Sequence, residues 1–256
     1  MADGIYTALT GSLAQQHALD TLATNVANAN TVGFRGDRVV FGEMVAGAQN
    51  GKNIDPRQPA PQRADKFVRV DQNRLDTTSG LLRATGGKLD VGIQGEGYFT
   101  VSTPNGERLT RAGNFMLNAN GAISTQEGFP VMGDGNQAII IPRNTKDIQI
   151  TTDGIVRADG TDIARLALKR VADPSTLVRE GTTTYAVTKE ASVSTLGTLP
   201  DAVMVVQGHL EASNVNPVSG LNELITVNRS FDALQKVIES FQNIDQRTAR
   251  DIASRT

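Results

Sequence analysis

The hydrophobic periodicity of this chain changes twice, and that change limits its possible folds more than any other feature. Residues 3–28, and again the stretch from about Val218 to Ile252, repeat apolar side chains every three or four positions, which is typical of one helix face. Between them, short β-favouring segments alternate with Gly, Asn and Asp turns. The pattern predicts an α+β fold in which discontinuous N- and C-terminal long helices form a coiled-coil-like module around a central, mostly antiparallel β domain.

The domain boundaries follow from the same pattern. We expect an N-terminal helix segment at 1–34, an extended connector at 35–80 around the proline-rich PRQPAPQR, a β domain at 81–208 and a C-terminal helix segment at 209–256. Three dipeptides, Asn105-Gly106, Asn120-Gly121 and Asp153-Gly154, indicate hairpin turns in the β domain because such pairs tolerate the positive φ that two-residue loops favour.

Each terminal stripe needs neighbours, because isolated helices are marginal in water without tertiary partners. Burying one Leu, Ile or Phe side chain contributes about 1.5–3 kcal/mol, so the two stripes together favour association with other chains. Ser12 and Gln16 interrupt the first stripe, which suits a seam shared by several helices better than a two-stranded coiled coil. The stripe residues predicted to form an assembly interface are Ile5, Leu9, Leu19, Val26, Leu224, Val227, Phe231, Leu234, Ile238 and Phe241.

Composition excludes several classes of function. The 25 basic and 27 acidic residues give a net charge of −2, so no basic field favours nucleic acid. Cysteine is absent and His17 and His209 are the two histidines, which excludes thiolate chemistry and multi-histidine metal centres. No apolar run approaches the roughly 20 residues of a membrane span, and the N-terminus has no basic and apolar signal-peptide pattern.

Candidate chemical motifs have simpler structural explanations. The glycines at 92–97 lack nucleotide-binding spacing, and 118–121 contains only a fragment of a calcium loop. Carboxylates such as Asp71, Asp76, Asp90 and Glu96 are expected in turns and at the surface, and the histidines in polar contacts. We therefore predict no enzyme activity, no metal site and no cofactor.

Five segments resemble motifs of one family. Residues 22–35 (LATNVANANTVGFR) resemble the N-terminal signature of the axial proteins of the bacterial flagellum, the rod and hook proteins. The segments 86–97, 110–115 and 120–121 are similar to the central β-domain motifs of that family, and 210–218 (LEASNVNPV) to its C-terminal signature. The short length, the opening residues 4–8 and the late 229–232 (RSFD) resemble most the proximal-rod protein of the F type.

This resemblance implies a structural subunit of the basal-body rod, a helical tube that crosses the periplasm and transmits torque from motor to hook. The implied partners are copies of the chain, other rod and axial proteins, and the flagellar type III export apparatus, which needs no cleaved signal peptide. The matched signatures add Asn28, Asn30, Gly33, Phe34, Asn214 and Val215 to the predicted assembly interface.

Other functions remain open at this point. A distal-rod or related axial protein of the same family is one alternative. A secreted β-rich glycan-binding protein or hydrolase would bind cell-wall glycans or hold two carboxylates in one cleft. An export chaperone or cap would have well-folded helices in the free monomer.

Overall fold

A computed structural model describes residues 2–46, 65–70, 73–188, 193–196 and 203–253. Helix α1 (Ala2–Ala27) and helix α2 (Pro217–Ala253) lie at the two ends, with strands between them. The predicted α+β class, with terminal helices and a central antiparallel β domain, is confirmed. Coiled-coil packing of the helices stays a prediction, and both PRQPAPQR (56–63) and Asp71 lie outside the described residues.

The ends of both helices follow from local chemistry. After α1, the amide of Asn28 donates to the carbonyl of Asn25 at 3.2 Å, a tight final turn. Pro217 begins α2, where its missing N–H costs no helical hydrogen bond.

Short strands make up the interval between the helices. Their bounds are β1 (Asp37–Arg38), β2 (Phe41–Ala46), β3 (Asp65–Val70), β4 (Arg74–Leu75), β5 (Leu82–Ala84), β6 (Val91–Gln94), β7 (Tyr98–Thr103), β8 (Gly106–Thr110), β9 (Met116–Leu117), β10 (Ile123–Ser124), β11 (Ile148–Ile150), β12 (Ile155–Ala158), β13 (Thr161–Arg165), β14 (Leu168–Val171), β15 (Leu177–Arg179), β16 (Thr184–Val187), β17 (Val193–Thr195), β18 (Met204–Gln207) and β19 (His209–Glu211). A 3₁₀ turn, Pro174–Thr176, precedes β15.

The chain divides into two compact units. The helical unit comprises residues 1–24, 37–74 and 217–256, and the β unit comprises residues 25–36 and 75–216. The largest sheet of the β unit has the order β15-β16-β8-β7-β14-β17, and β11-β12-β13 form a three-stranded sheet. Two further pairs, β18-β6 and β19-β5, join the end of the β unit to its beginning in antiparallel register.

Strand β7 lies at the centre of the β unit. Its residues 98–101 are all buried, so both faces of the strand are covered. Phe99 and Val101 belong to the main core, where the Phe99 and Phe115 rings pack edge to face at 5.1 Å. Tyr98 faces a second core, which it forms with Leu109, Leu177 and Tyr185.

The three predicted turns are present, with one difference in conformation. Gly106, Gly121 and Gly154 have positive φ, at 103°, 79° and 76°. The residues before them do not have positive φ. The amides of Gly121 and Gly154 donate to the carbonyls of Asn118 and Thr151, three residues earlier, whereas Gly106 pairs with Thr103 across the two-residue loop 104–105. Glycine is therefore the residue each turn requires.

The observed boundaries differ from those drawn on the sequence. Within 35–80, assigned to an extended connector, β2 and β3 pair antiparallel from Phe41–Val70 to Ala46–Asp65. Aromatic and β-branched residues of 65–70 (DKFVRV) favour this strand, a signal that the neighbouring Pro and Gln residues obscured. Residues 25–36 and 209–216, assigned to the helix segments, belong to the β unit.

Candidate assembly interface and its junction

The burial of α2 follows the predicted stripe. All six stripe residues are half-buried: Leu224, Val227, Phe231, Leu234, Ile238 and Phe241. The charged residues Glu223, Arg229, Asp232, Lys236 and Glu239 are exposed on other faces. The helix is therefore amphipathic in the register that the sequence predicts. Contact of the stripe with other subunits stays a prediction.

Within the single chain, α1 buries other residues than those predicted to contact neighbouring subunits, and that contact stays a prediction. Of the predicted residues, Ile5, Leu19 and Val26 are half-buried, but Leu9 is 44% exposed. The buried positions are instead small or polar: Ala8, Ser12, Ala14, Ala18, Thr21 and Asn25. The hydrophobic periodicity favours the larger apolar residues of α1. Small side chains, however, let another backbone approach the helix closely, so the buried face consists of small or polar residues.

Two contacts join α1 to α2 inside the helical unit. A Cβ on Gly11 would lie 3.6 Å from Leu234 Cδ1, an ordinary contact distance, so the leucine of α2 packs over this position of α1. One residue further along each helix, the Gln235 amide donates to Ser12 Oγ at 3.1 Å. The serine that interrupts the apolar stripe is thus used as a hydrogen-bond partner.

Large apolar side chains remain exposed on both helices. On α1, Tyr6, Leu9 and Leu13 share one face at spacings of three and four residues, and 57% of Tyr6 and 58% of Leu13 are exposed. On α2, Val218, Leu221, Ile225, Val237 and Ile244 are exposed. None of these is in the half-buried stripe of α2 or at a buried position of α1. The helical unit therefore offers apolar surface beyond its internal contacts.

The turn after α1 is fixed by close backbone contact in the β unit. Gly33 has a φ of +68°, and a Cβ there would lie 2.3 Å from the Ala112 amide nitrogen. Its own amide donates to the Glu211 carbonyl at 2.8 Å. Only glycine meets both demands at this position. The predicted interface residue Gly33 thus has a structural role within the chain.

The C-terminal signature, residues 210–218, contacts the same turn after α1. Asn214 accepts a hydrogen bond from the Gly36 amide at 2.8 Å, and its own amide donates to the carbonyls of Asp76 and Thr78 at 3.0 and 3.1 Å. Val215 Cγ2 lies 3.0 Å from where a Cβ on Gly36 would be. Both residues therefore act within the β unit, whichever contacts they make with neighbours.

The remaining signature residues divide by exposure. Phe34 is buried, and the Arg179 guanidinium lies 4.5 Å from its ring centroid. Asn28 is half-buried and its side-chain oxygen accepts a hydrogen bond from Thr31 Oγ1 at 3.1 Å, whereas Asn30 is exposed. Asn30 is the member of this group most available to another molecule.

Three charged side chains form a buried cluster, which we call the junction: Arg35, Arg111 and Glu211. Glu211 pairs with Arg35 at 3.1 Å and with Arg111 at 2.9 Å, and all three are 2% exposed. The two guanidinium groups lie 5.6 and 5.1 Å from the Tyr98 ring centroid. Burial, with a contribution from the Arg35 charge, lowers the pKa of Arg111, and Glu211 opposes that shift. Removing one partner of such a buried group strongly destabilises a protein.

Sequence reasoning missed the junction although a signal was available. The matched segments 22–35, 110–115 and 210–218 each contain a single charged residue, and these are Arg35, Arg111 and Glu211. A lone charge within each of three motifs, with opposite signs among them, indicates that the motifs meet. The junction thus ties the end of α1 to the middle and the end of the β unit.

The described part of the chain contains no cluster of three or more His, Cys, Asp or Glu side chains able to hold a metal ion. Within the same residues, neither helix has the length and apolar character needed to cross a membrane.

Comparison with known proteins defines the class of the fold. Three family models match in chain order: "Flagella basal body rod protein" at residues 5–35, "Flagellar hook protein FlgE/F/G D1 domain" at 92–158 and "Flagellar basal body rod FlgEFG protein C-terminal" at 206–251. The first and last matches cover α1 with its turn and most of α2, and the middle match covers the core strands. The architecture is therefore that of a flagellar axial component.

Relatives over nearly the full length narrow the assignment. A flagellar basal-body rod protein FlgF of Caulobacter vibrioides is 34% identical over 94% of this chain and 94% of its own, and one of Mesorhizobium japonicum is 31% identical over 100% of both. A rod protein FlgG of Caulobacter vibrioides is 32% identical over 95% of this chain and 97% of its own. The chain belongs to the flagellar basal-body rod protein family, and the prediction of an F-type member is confirmed.

Proposed function

We propose that this chain is a structural subunit of the flagellar basal-body rod whose two terminal helices pack against those of neighbouring subunits to form the inner wall of a helical tube. Family membership supports the structural role in the rod and the location in the flagellar basal body. The proposed packing of the helices against neighbouring subunits rests on the exposed apolar face of Tyr6, Leu9 and Leu13 on α1.

The physical argument is the incomplete burial of the helical unit. Each fully buried Leu or Ile side chain contributes about 1.5–3 kcal/mol, and several on α1 and α2 are half exposed in the free chain. Neighbouring copies that cover these faces would gain that free energy. Because head-to-tail contacts do not close on themselves, they extend into a helical array that can transmit torque along its length.

The β unit takes the outer position in this proposal. Its core is closed by its own residues, so it needs no neighbour to fold. Its surface carries polar side chains together with exposed apolar ones such as Leu81 and Ile140, and both kinds suit lateral contacts with copies and with other rod proteins. The exposed Asn30, on the turn after α1, is placed for such a contact.

Export through the flagellar type III apparatus, without a cleaved signal peptide, is part of the same proposal, as is a position across the periplasm. Absence of cysteine is compatible with passage as an unfolded chain, since no disulfide can form on the way. The chain has no catalytic role in this proposal. A distal-rod or related axial protein of the same family is the second candidate, since rod proteins named FlgG also match over nearly the full length of the chain.

A charge on the α2 stripe tests the assembly role. We expect Ile238→Asp to stop polymerisation while the β unit stays folded, because an unpaired charge in a buried helical seam costs several kcal/mol. Lys236→Asp, at an exposed position two residues away, is the matched control and should assemble. Polymerisation is followed by light scattering and β structure by circular dichroism. Normal assembly of Ile238→Asp would refute the stripe as an interface.

A further inference from the structure

A small cavity adjoins the junction in the β unit. Its volume is about 220 Å³, and its lining includes both junction arginines, Arg35 and Arg111, together with Tyr98, Arg170 and Ala172. Drug-sized ligands occupy pockets of roughly 300–1,000 Å³, so this one is suited to a smaller group.

The charges around the cavity do not balance. Two guanidinium groups face one carboxylate, which leaves one surplus positive charge among three side chains that are 2% exposed. Burying an uncompensated charge is costly, and a nearby counter-charge is the usual remedy. Glu96 also lines the cavity, but it pairs with Arg170 and 75% of its side chain is exposed, so this carboxylate does not neutralise the buried surplus.

The hydrogen-bond inventory of the arginines is also incomplete. Arg35 donates to the Thr77 carbonyl, to Ser79 Oγ and to Glu211. Arg111 donates to the carbonyls of Ile93 and Gly95 and to Glu211. The Nε atom of each arginine is buried and has no hydrogen-bond partner among the described residues. The two Nε atoms are themselves covered, so they show only that the hydrogen bonding of both buried arginines is incomplete. The surplus positive charge of the two guanidinium groups beside the cavity is what favours an oxyanion there.

We propose that this cavity binds one small oxyanion, a carboxylate, phosphate or sulfate group, held by the surplus charge of Arg35 and Arg111. The group comes either from a free anion or from an acidic side chain of a neighbouring subunit. Binding completes the charge balance of the junction and so stabilises the meeting point of the three matched motifs. The site is independent of the helical interface and would exist in the free chain.

The test uses inorganic phosphate and a substitution at the cavity rim. Ala172 is exposed and lines the cavity, so Ala172→Glu places a covalently attached carboxylate beside the arginines. Ala172→Gln, which has a similar shape but no charge, is the control. In thermal unfolding of the full chain, phosphate at ten times its Kd should raise the Tm of the wild type and of Ala172→Gln by about 3–5 °C relative to sodium chloride of equal ionic strength. Ala172→Glu should have the higher Tm without phosphate and lose the phosphate response.

The outcomes separate the two sources. A higher Tm of Ala172→Glu without any phosphate response in the wild type supports the site and assigns it to a protein carboxylate. A wild-type phosphate response that Ala172→Glu abolishes supports a free anion. Equal Tm values for the Glu and Gln variants with no phosphate effect would overturn the proposal. So would a phosphate response that Ala172→Glu leaves unchanged, because the anion would then bind elsewhere.

Discussion

The two units of this chain bury their apolar side chains in different ways. In the β unit, Phe99, Val101 and Val131 are fully buried in one core. In the helical unit, Tyr6 and Leu13 are more than half exposed, and the stripe of α2 is only half-buried. The β unit therefore closes a core of large apolar side chains with its own residues, although Leu81 and Ile140 stay exposed on it. In the described part of the helical unit, the buried apolar side chains are alanines and the larger ones are half-buried or exposed, so further molecules can cover them.

The largest expected effect breaks the β unit at the junction. Glu211→Gln keeps the side-chain shape but leaves two buried guanidinium charges unpaired, so we expect the free energy of unfolding to fall by about 3–5 kcal/mol. Urea denaturation monitored by circular dichroism measures it.

The matched control is Glu107→Gln, since Glu107 pairs with Lys169 at the surface with 38% of its side chain exposed. Exposed pairs contribute about 0–1 kcal/mol, so this variant should unfold nearly as the wild type does. Similar losses for the two variants would show that the junction contributes no more than a surface pair.

The second effect concerns the turn after α1. Gly33→Ala introduces a Cβ into the Ala112 backbone at a positive φ, and we expect a loss of roughly 2–4 kcal/mol from strain and close contact. Gly86 has a similar φ of +74° but nothing within 4 Å of a Cβ. Gly86→Ala should therefore cost only about 1–2 kcal/mol. If denaturation midpoints fell equally in both, the close approach at Gly33 would be unimportant.

Structural features that depend on residues close together in sequence could be predicted, whereas features that depend on distant residues could not. The two helices and the antiparallel β domain follow from local periodicity, and the α2 stripe was predicted in the correct register. The buried face of α1 was not predicted, because it includes Ala8, Ala14 and Ala18, whose small size carries little hydrophobic signal. Contact of the α1 stripe with other subunits stays a prediction.

The junction could not be predicted from the local sequence. Arg35, Arg111 and Glu211 are far apart in sequence, and their pairing depends on how β5, β6 and β19 meet. Local pattern does not encode that topology. The strand pair of β2 and β3 was missed for a different reason, since its partners lie on either side of a proline-rich stretch.

A smaller effect tests the observed face of α1. Ala14 is 2% exposed, and its neighbour Leu13 is 58% exposed. We expect Ala14→Leu to destabilise the monomer by about 1–3 kcal/mol through overpacking. Leu13→Ala should leave monomer stability within about 0.5 kcal/mol and weaken assembly instead. Helix melting followed at 222 nm and a polymerisation assay distinguish the two. Reversed effects would contradict both the burial of Ala14 in the monomer and the role of Leu13 in assembly.

The smallest effect concerns acid stability of the β unit. Hydrogen bonds from Lys88 and Gln149 hold the pKa of Asp147 below its ordinary value of 3.8. A carboxyl with a lowered pKa stabilises the fold above its unfolded pKa, and that contribution disappears as the pH falls through the lower folded value. The Tm of the wild type should therefore exceed that of Asp147→Asn at pH 6, and the two should converge towards pH 2. A constant difference across this range would contradict the assignment.

Hydrogen exchange in the free and assembled protein tests the comparison of the two units most directly. In the free monomer, we expect amides of α1 and α2 to exchange about a hundredfold or more faster than those of β7 and β8, because local opening of a half-exposed helix costs little free energy. On assembly, the helical amides should become protected while those of β7 and β8 change little. Helices already as protected as β7 in the monomer, with no change on assembly, would contradict the account.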